Sequence, residues 1–286
     1  IKGPREGFNE VLVDNISLIR RKVKNTNLKV ENLTMGEKSN TSVAMIYIEG
    51  VAPNTLVRRV KEKLNSIKID FVLDTSYIEE SFSNKKTLFN TIGYTEKPDV
   101  VAANIMEGRV GVLVDGTPFV LTMPYFFIES FQMPDDYYVN KIYSNVTRML
   151  RYIAFMVALL LPGLYIAITT YHFSLIPSVF VFRLSVSRAG VPFPAIIELY
   201  LLIFFFQILK EAGIRLPEPI GQAISIVGAL ILGDAAVGAG LASQIGMIVV
   251  AISAISSFLI PKLNNVISVW SIVIVFLSSV VGLPGF

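Results

Sequence analysis

The feature that most constrains this chain is the distribution of its charged residues. Of the 47 Asp, Glu, Lys and Arg residues among 286, 38 lie within the first 151 positions. The remaining 135 positions hold nine, and residues 152–182 hold none. This uncharged stretch is longer than the roughly 20 residues that a helix needs to cross the hydrocarbon layer of a membrane. The sequence therefore predicts a soluble domain followed by a membrane domain.

Composition excludes several kinds of site. The chain has no cysteine, which rules out disulfides, thiolate nucleophiles and Cys-ligated metal sites. Its one histidine, His172, cannot form a His-rich metal site alone. The sequence contains no P-loop, dinucleotide-binding glycine pattern or serine elbow. A net charge of +3 is too small and too dispersed to indicate nucleic acid binding. We therefore expect no enzymatic activity, cofactor, metal or nucleic acid partner.

Residues 1–147 alternate between helical and strand-like periods, which predicts a mixed α/β domain. Helices are expected from Val11 to Val23, after Pro53 and from Pro98 to Met106. Strands are expected at Thr41–Ile48, as a short buried run at Ile69–Leu73, and on either side of the turn at Asp115-Gly116. A connecting helix is expected from Tyr137 to Arg151.

Residues 148–286 are predicted to form an α-helical, multi-span membrane domain. Spans are expected near residues 153–171 (interrupted at Pro162-Gly163), 195–212, 220–243, 245–260 and 264–284. The segment 174–190 carries two arginines, which are costly at the bilayer centre, so it is predicted to be an interfacial or pore-side helix. If the spans alternate, six basic residues fall on the side of the soluble domain and two opposite, which favours a cytoplasmic soluble domain.

Four small residues recur every four positions in the third predicted span: Gly221, Ser225, Ala229 and Gly233. Such a stripe lets helix backbones approach closely. It is interpreted either as packing against a neighbouring span or as a subunit contact or pore wall. Asp234 follows it near the predicted middle of the span, where an ionisable side chain is expensive unless it faces water, a partner or a cavity. Alternatively, the glycines shift or break the helix and leave Asp234 near an interface.

Four charged residues of the membrane region are ion-pair candidates: Arg183, Arg188, Glu198 and Arg215. Glu198 is predicted to pair with Arg183, Arg188 or a neighbouring subunit. The alternative is a proton-linked site like those of transporters. The structural salt bridge is the favoured interpretation.

An ordered set of motifs resembles the A subunits of GerA-type spore germinant receptors over nearly the whole chain. The motifs include EGRVGVLVDGTPFVLTMP (residues 107–124), LPGLYIAITTYH (161–172), GVPFPAIIELYLLIFFFQILKEAGIRLPEPIGQAISIVGALI (190–231) and LGDAAVGAGLAS (232–243). Two departures stand out. In the family, GPREGF (residues 3–8) usually lies inside the soluble domain, so an upstream part of that domain is expected to be missing here. In addition, Ser268–Trp270 stands where the family pattern leads us to expect arginines.

The resemblance implies a multi-pass protein of the inner membrane of the bacterial endospore, with its N-terminal domain in the cytoplasm. It further implies a homo-oligomeric ring around a cation-conducting pore, working with a transporter-like B subunit and a lipoprotein C subunit in a nutrient-responsive receptor. Two other functions remain open: a secondary transporter, suggested by Glu198 and the glycine-interrupted spans, and a non-conducting membrane scaffold of the germination machinery. No internal repeat of the kind found in many transporters supports the first.

Overall fold

The structure is a computed structural model that describes residues 3–83, 87–215 and 233–286. It divides into two compact units, residues 1–144 and 145–286. The division falls close to the boundary predicted at residue 147. It lies within one helix, α5 (Lys141–Tyr171).

The first unit is a mixed α/β fold. Its strands are β1 (Leu28–Met35), β2 (Thr41–Ile48), β3 (Gly93–Thr95), β4 (Val110–Val114) and β5 (Val120–Met123). They form one antiparallel sheet in the order β1-β2-β4-β5-β3. Its helices are α1 (Leu12–Lys22), α2 (Asn54–Ser66), α3 (Thr75–Phe82) and α4 (Pro98–Met106), followed by 3-10 turns at Phe127–Phe131 and Pro134–Tyr137.

The sheet has a core on each face because its central strands are apolar on both sides. In β2, Val43 and Met45 pack with Leu64 of α2 in one cluster. Ala44 and Ile46 point the other way and pack in a second cluster with side chains of α1 and α4. This alternation follows from the two-residue period of a strand.

Several details of the first unit differ from the prediction, among them α3 and β3, which were not expected. The run Ile69–Leu73 is not a strand: Val72 is buried, but Phe71 and Leu73 are exposed. The carbonyl of Asp70 accepts hydrogen bonds from the amides of Lys38 and Ser39 at the β1–β2 turn, and no ladder forms. Strand β1 was not predicted, because an edge strand with one partner needs little hydrophobic alternation and this one is rich in polar residues.

The second unit is helical. Besides most of α5, it contains α6 (Ser178–Arg188), α7 (Ala195–Arg215), α8 (Gln244–Phe258) and α9 (Asn264–Val281), with 3-10 turns at Phe173–Leu175, Pro261–Leu263 and Leu283–Gly285. Residues 233–238 are also helical. Among the described residues, two helices, Lys141–Tyr171 and Pro261–Val281, are long and apolar enough to cross a membrane.

The interruption predicted at Pro162-Gly163 is wrong, since α5 continues through both residues. Proline lacks the N–H that would bond to the carbonyl of Ala158, four residues earlier. The Oγ of Ser253, on α8, donates to that carbonyl at 2.8 Å and satisfies it. Gly163 brings α5 against α9, because a Cβ there would lie 2.7 Å from Cγ2 of Ile274. A neighbouring helix therefore supplies the donor that the proline lacks.

Candidate functional site

The candidate site is a buried carboxylate in the second unit. Glu198 lies in the first turn of α7 with a side chain only 1% exposed. Its Oε1 accepts two hydrogen bonds from Ser243, at 2.7 Å from the backbone N and 2.6 Å from Oγ. Charge-assisted bonds of this length are strong where water is excluded. They join the N-terminus of α7 to the N-terminus of α8.

Local sequence sets the position of both partners. The segment Val191-Pro192-Phe193-Pro194 precedes α7, and the amide of Glu198 donates to the carbonyl of Pro194 at 3.1 Å. Ser243 is the N-cap of α8, and its Oγ accepts from the amide of Gly246 at 3.1 Å. Serine is a preferred N-cap, and the positive end of a helix dipole stabilises a nearby carboxylate.

Gly246 is what allows the carboxylate to approach α8 so closely. A Cβ at this position would overlap Oε1 of Glu198 and lie 3.0 Å from Oγ of Ser243. Glycine is therefore required here for space, and not for an unusual backbone angle.

The other side of the carboxylate faces Arg188. Its Oε2 lies 3.9 Å from Nε of Arg188, which is at the limit of an ion pair. Neither of these two buried atoms has a hydrogen-bond partner. The same holds for the hydroxyls of Tyr165 and Ser187. The site thus combines one fully bonded carboxylate oxygen with one that retains hydrogen-bonding capacity.

The remaining ion-pair candidates are not part of this cluster. The side chain of Arg183 is exposed on α6. Arg215 pairs with Glu211 one turn earlier on α7, with Nη2 and Oε1 2.6 Å apart. The structure thus brings Glu198 next to Arg188 alone among the three arginines.

The small-residue stripe is described only in part. Gly221, Ser225 and Ala229 lie outside the described residues. Gly233 is helical, and a Cβ there would come within 3.9 Å of Cε of Met247 on α8. The glycine therefore lies next to α8.

Asp234 is exposed, and its helix ends at residue 238, five residues before the predicted end of the span at residue 243. Gly240 ends the helix with a positive φ, a conformation that glycine adopts readily at this position. The amide of Gly240 donates to the carbonyl of Val237, and the amide of Leu241 to that of Ala236. Asp234 therefore lies in the last two turns.

Sequence reasoning missed the role of Ser243 and Gly246. Ser243 stands only at the end of the span predicted at 220–243, and Gly246 only inside the span predicted at 245–260. A serine before a long apolar segment is an N-cap signal, and a lone carboxylate in an apolar helix requires donors from elsewhere. These two signals together would have suggested the contact.

The first unit contains a largely shielded charge, Arg109, just before β4, with 13% of its side chain exposed. Its guanidinium contacts Oε2 of Glu129 at 2.5 Å, Oε2 of Glu107 at 3.1 Å and the carbonyl of Pro124 at 3.3 Å. Burial acts to lower the pKa of Arg109, but the bond to Glu129 and both carboxylate charges outweigh it and raise the pKa. Arg109 therefore stays charged and holds the segment after β5 against the sheet.

The described residues contain no cluster of three or more His, Cys, Asp or Glu side chains that could hold a metal ion. The buried site offers hydrogen bonding and charge pairing by Glu198, Arg188 and Ser243.

Comparison with known proteins places this architecture in a family. The family model described as Bacillus/Clostridium GerA spore germination protein matches residues 1–286. Spore germination protein KA of Bacillus subtilis (strain 168) is 44% identical over 287 aligned positions, covering 99% of this chain and 53% of that protein. The uncharacterized membrane protein YfkQ of the same organism is 43% identical, with coverages of 100% and 56%. Spore germination protein GerLA of Bacillus cereus is 38% identical, with coverages of 96% and 56%.

The chain spans about half the length of these relatives. Among solved structures, the N-terminal domain of the A subunit of the Bacillus megaterium spore germinant receptor GerK3 is 38% identical. The match covers 43% of this chain and 98% of that one, with a TM-score of 0.36. Because the family model matches the whole chain, the chain belongs to the GerA family of spore germination proteins.

Proposed function

We propose that the second unit is a multi-span membrane domain and that the chain is a channel-forming subunit of a nutrient-responsive germinant receptor. Several copies surround a pore that releases cations across the inner membrane of the spore. A transporter-like B subunit and a lipoprotein C subunit complete the receptor, and the first unit lies in the cytoplasm. Membership in the GerA family and the names of the relatives as spore germination proteins support this assignment.

One observation carries the membrane placement: the second unit exposes apolar side chains and buries polar ones. On α8, Ile248, Ile252 and Ile255 are each 45% or more exposed. Glu198 and Ser243 are almost completely buried and hydrogen-bond to each other. A continuous apolar exterior is unfavourable in water and favourable in lipid, where polar groups must find partners inside the protein.

Asp234 is the candidate for ion selectivity. It is exposed near the end of its helix, where copies in a ring would bring equivalent carboxylates together. Rings of carboxylates favour cations in channels. Germinant bound elsewhere in the receptor acts by stabilising the open arrangement over the closed one.

The test is electrophysiology on the chain reconstituted in planar bilayers, with and without its partner subunits. Asp234→Asn is expected to lower the cation-to-anion permeability ratio while conductance persists. Glu80→Gln, which changes an exposed carboxylate of the first unit, is the matched control and leaves the ratio unchanged. Unchanged selectivity of Asp234→Asn would remove this residue from the filter, and absence of conductance in every condition would remove the channel.

A secondary transporter is the second candidate, favoured by the unbonded Oε2 of the buried Glu198. Ionisable groups of this kind serve proton or ion coupling in transporters. Saturable, stoichiometric uptake by the purified chain would support this function over the channel. A chain that neither conducts nor transports but still assembles would instead be the non-conducting scaffold.

A further inference from the structure

A groove between α5, α7, α8 and α9 is not used by the proposed channel function. Its volume is about 660 Å³, and it runs along α7 from Ile197 to Lys210. This part of the helix is about 20 Å long at the rise of an α-helix. One leaflet of the hydrocarbon layer is about 15 Å deep. The groove therefore has the length of a lipid acyl chain that lies along the protein with its headgroup at one end.

Three hydroxyl groups in the groove are satisfied by the protein itself. The hydroxyls of Ser253 and Ser257 donate to the carbonyls of Ala158 and Ala254, at 2.8 and 2.7 Å. The phenol of Tyr200 donates to the carbonyl of Ile272 at 3.2 Å. Because these groups need no further partner, the walls favour an apolar occupant.

The end of the groove at Lys210 has a different character. The ammonium of Lys210 donates to the neutral side-chain oxygen of Asn264. The nearby carboxylate of Glu211 is engaged by Arg215 at 2.6 Å. Within the described residues Lys210 makes no ion pair, so its positive charge is available to an anion at this end.

We propose that this groove binds one anionic phospholipid, with an acyl chain along α7 and its phosphate at Lys210. An apolar groove of acyl-chain length with a cation at one end fits an amphiphile with a negatively charged headgroup. Basic residues between membrane helices bind anionic headgroups in this way, and the cytoplasmic leaflet supplies such lipids. The proposal rests on the proposed placement of the second unit in the bilayer.

The test is native mass spectrometry of the 286-residue chain in mild detergent, with phosphatidylglycerol and phosphatidylcholine of identical acyl chains. We expect one bound phosphatidylglycerol, preferred about fivefold, since one lysine near the headgroup contributes about that factor. Lys210→Gln is expected to abolish the preference and keep the weaker phosphatidylcholine binding, and Lys210→Arg to restore it. Lys141→Gln, on α5 outside the groove, is the matched control.

A second pair of variants tests the apolar wall. Val269→Trp places a large ring in the groove and is expected to reduce binding of both lipids, whereas Val280→Trp, on the same helix outside the groove, leaves it unchanged.

The proposal is overturned if Lys210→Gln keeps the headgroup preference, if Val269→Trp keeps lipid bound, or if the bound mass is a second copy of the chain. A chain that resists carbonate extraction but shows no headgroup preference would refute this site alone, whereas extraction would refute the membrane placement.

Discussion

The two units of this chain distribute polarity in opposite ways. The first packs apolar side chains on both faces of a sheet and carries most of the charge on its surface. The second exposes isoleucines, valines and phenylalanines and buries serines, a threonine and Glu198. The first is therefore held together mainly by burial of apolar area. If the second lies in lipid as proposed, its helices depend on close packing and on hydrogen bonds between helices.

The largest expected effect tests the buried hydrogen bonds of the second unit. Glu198→Ala leaves the amide and hydroxyl of Ser243 without their acceptor and removes the carboxylate beside the guanidinium of Arg188. Removing one member of a buried charged cluster costs about 3–5 kcal/mol. We expect a clearly lowered thermal unfolding midpoint of the chain in detergent. Glu211→Ala, on the same helix but half-exposed, should change it little.

The second-largest effect is expected from introducing a lysine at an exposed apolar position of each unit. Ile255 is 62% exposed on α8, and Phe71 is 47% exposed in the first unit. If Ile255 lies near the bilayer centre, Ile255→Lys should disfavour membrane insertion by about 2.5–3.5 kcal/mol. The matched change, Phe71→Lys, alters a surface position, where substitutions shift stability by about 0.5 kcal/mol or less. Glycosylation-tagged assays measure the membrane insertion of Ile255→Lys, and thermal unfolding measures the stability of Phe71→Lys. Similar tolerance at both positions would contradict the lipid-facing assignment of α8.

Glycine substitutions test the contact of Glu198 with α8 without removing a charge. Gly246→Ala places a methyl group against the carboxylate and should destabilise the chain by about 1–3 kcal/mol. Gly238→Ala meets no atom within 4 Å at the end of the preceding helix, and it should be neutral or slightly stabilising. Thermal unfolding in detergent measures both. Equal effects of the two substitutions would contradict the close approach of Glu198 to α8.

The smallest expected effect concerns a carboxylate of the first unit. Burial, with a contribution from the charge of Asp74, raises the pKa of Glu79 from its ordinary value of 4.5. A carboxyl whose pKa is higher in the folded state binds more protons when folded, so stability falls as pH rises from the ordinary pKa through the folded pKa. Glu79→Gln should therefore stabilise the first unit slightly at neutral pH and not below the ordinary pKa.

Unfolding of the full chain at neutral pH and at a pH below the ordinary pKa of glutamate measures this difference. The neighbouring Glu80 is exposed, and Glu80→Gln is the matched control. A gain from Glu79→Gln that is equal at both pH values would show that the raised pKa has no part in stability.

Much of the fold could be predicted because it depends on local patterns. The strand-forming composition of Thr41–Ile48 and the proline at the first position of α4 correspond to observed elements. The strand expected at Ile69–Leu73 failed because apolar content alone does not provide a ladder partner. The continuity of α5 through Pro162 was missed because the compensating donor, Ser253, lies 95 positions from its acceptor.

The candidate site shows the same limit. An apolar segment with one glutamate indicated that Glu198 needs a partner, and Arg188 was among the candidates. Sequence spacing could not identify Ser243, because 45 positions separate it from Glu198. Gly246 became meaningful only once the carboxylate was seen beside it.

The sequence alone determined that the charges of this chain gather in its first half, that the first domain mixes helices and strands, and that the motifs belong to the GerA family. These properties reside in composition and in short periods along the chain. Only the tertiary structure decided which side chains meet: Glu198 with Ser243, Ser253 with the carbonyl freed by Pro162, and Lys210 with the end of an apolar groove. The physical reason is that such contacts join helices far apart in sequence, where donors and acceptors are paired by packing geometry.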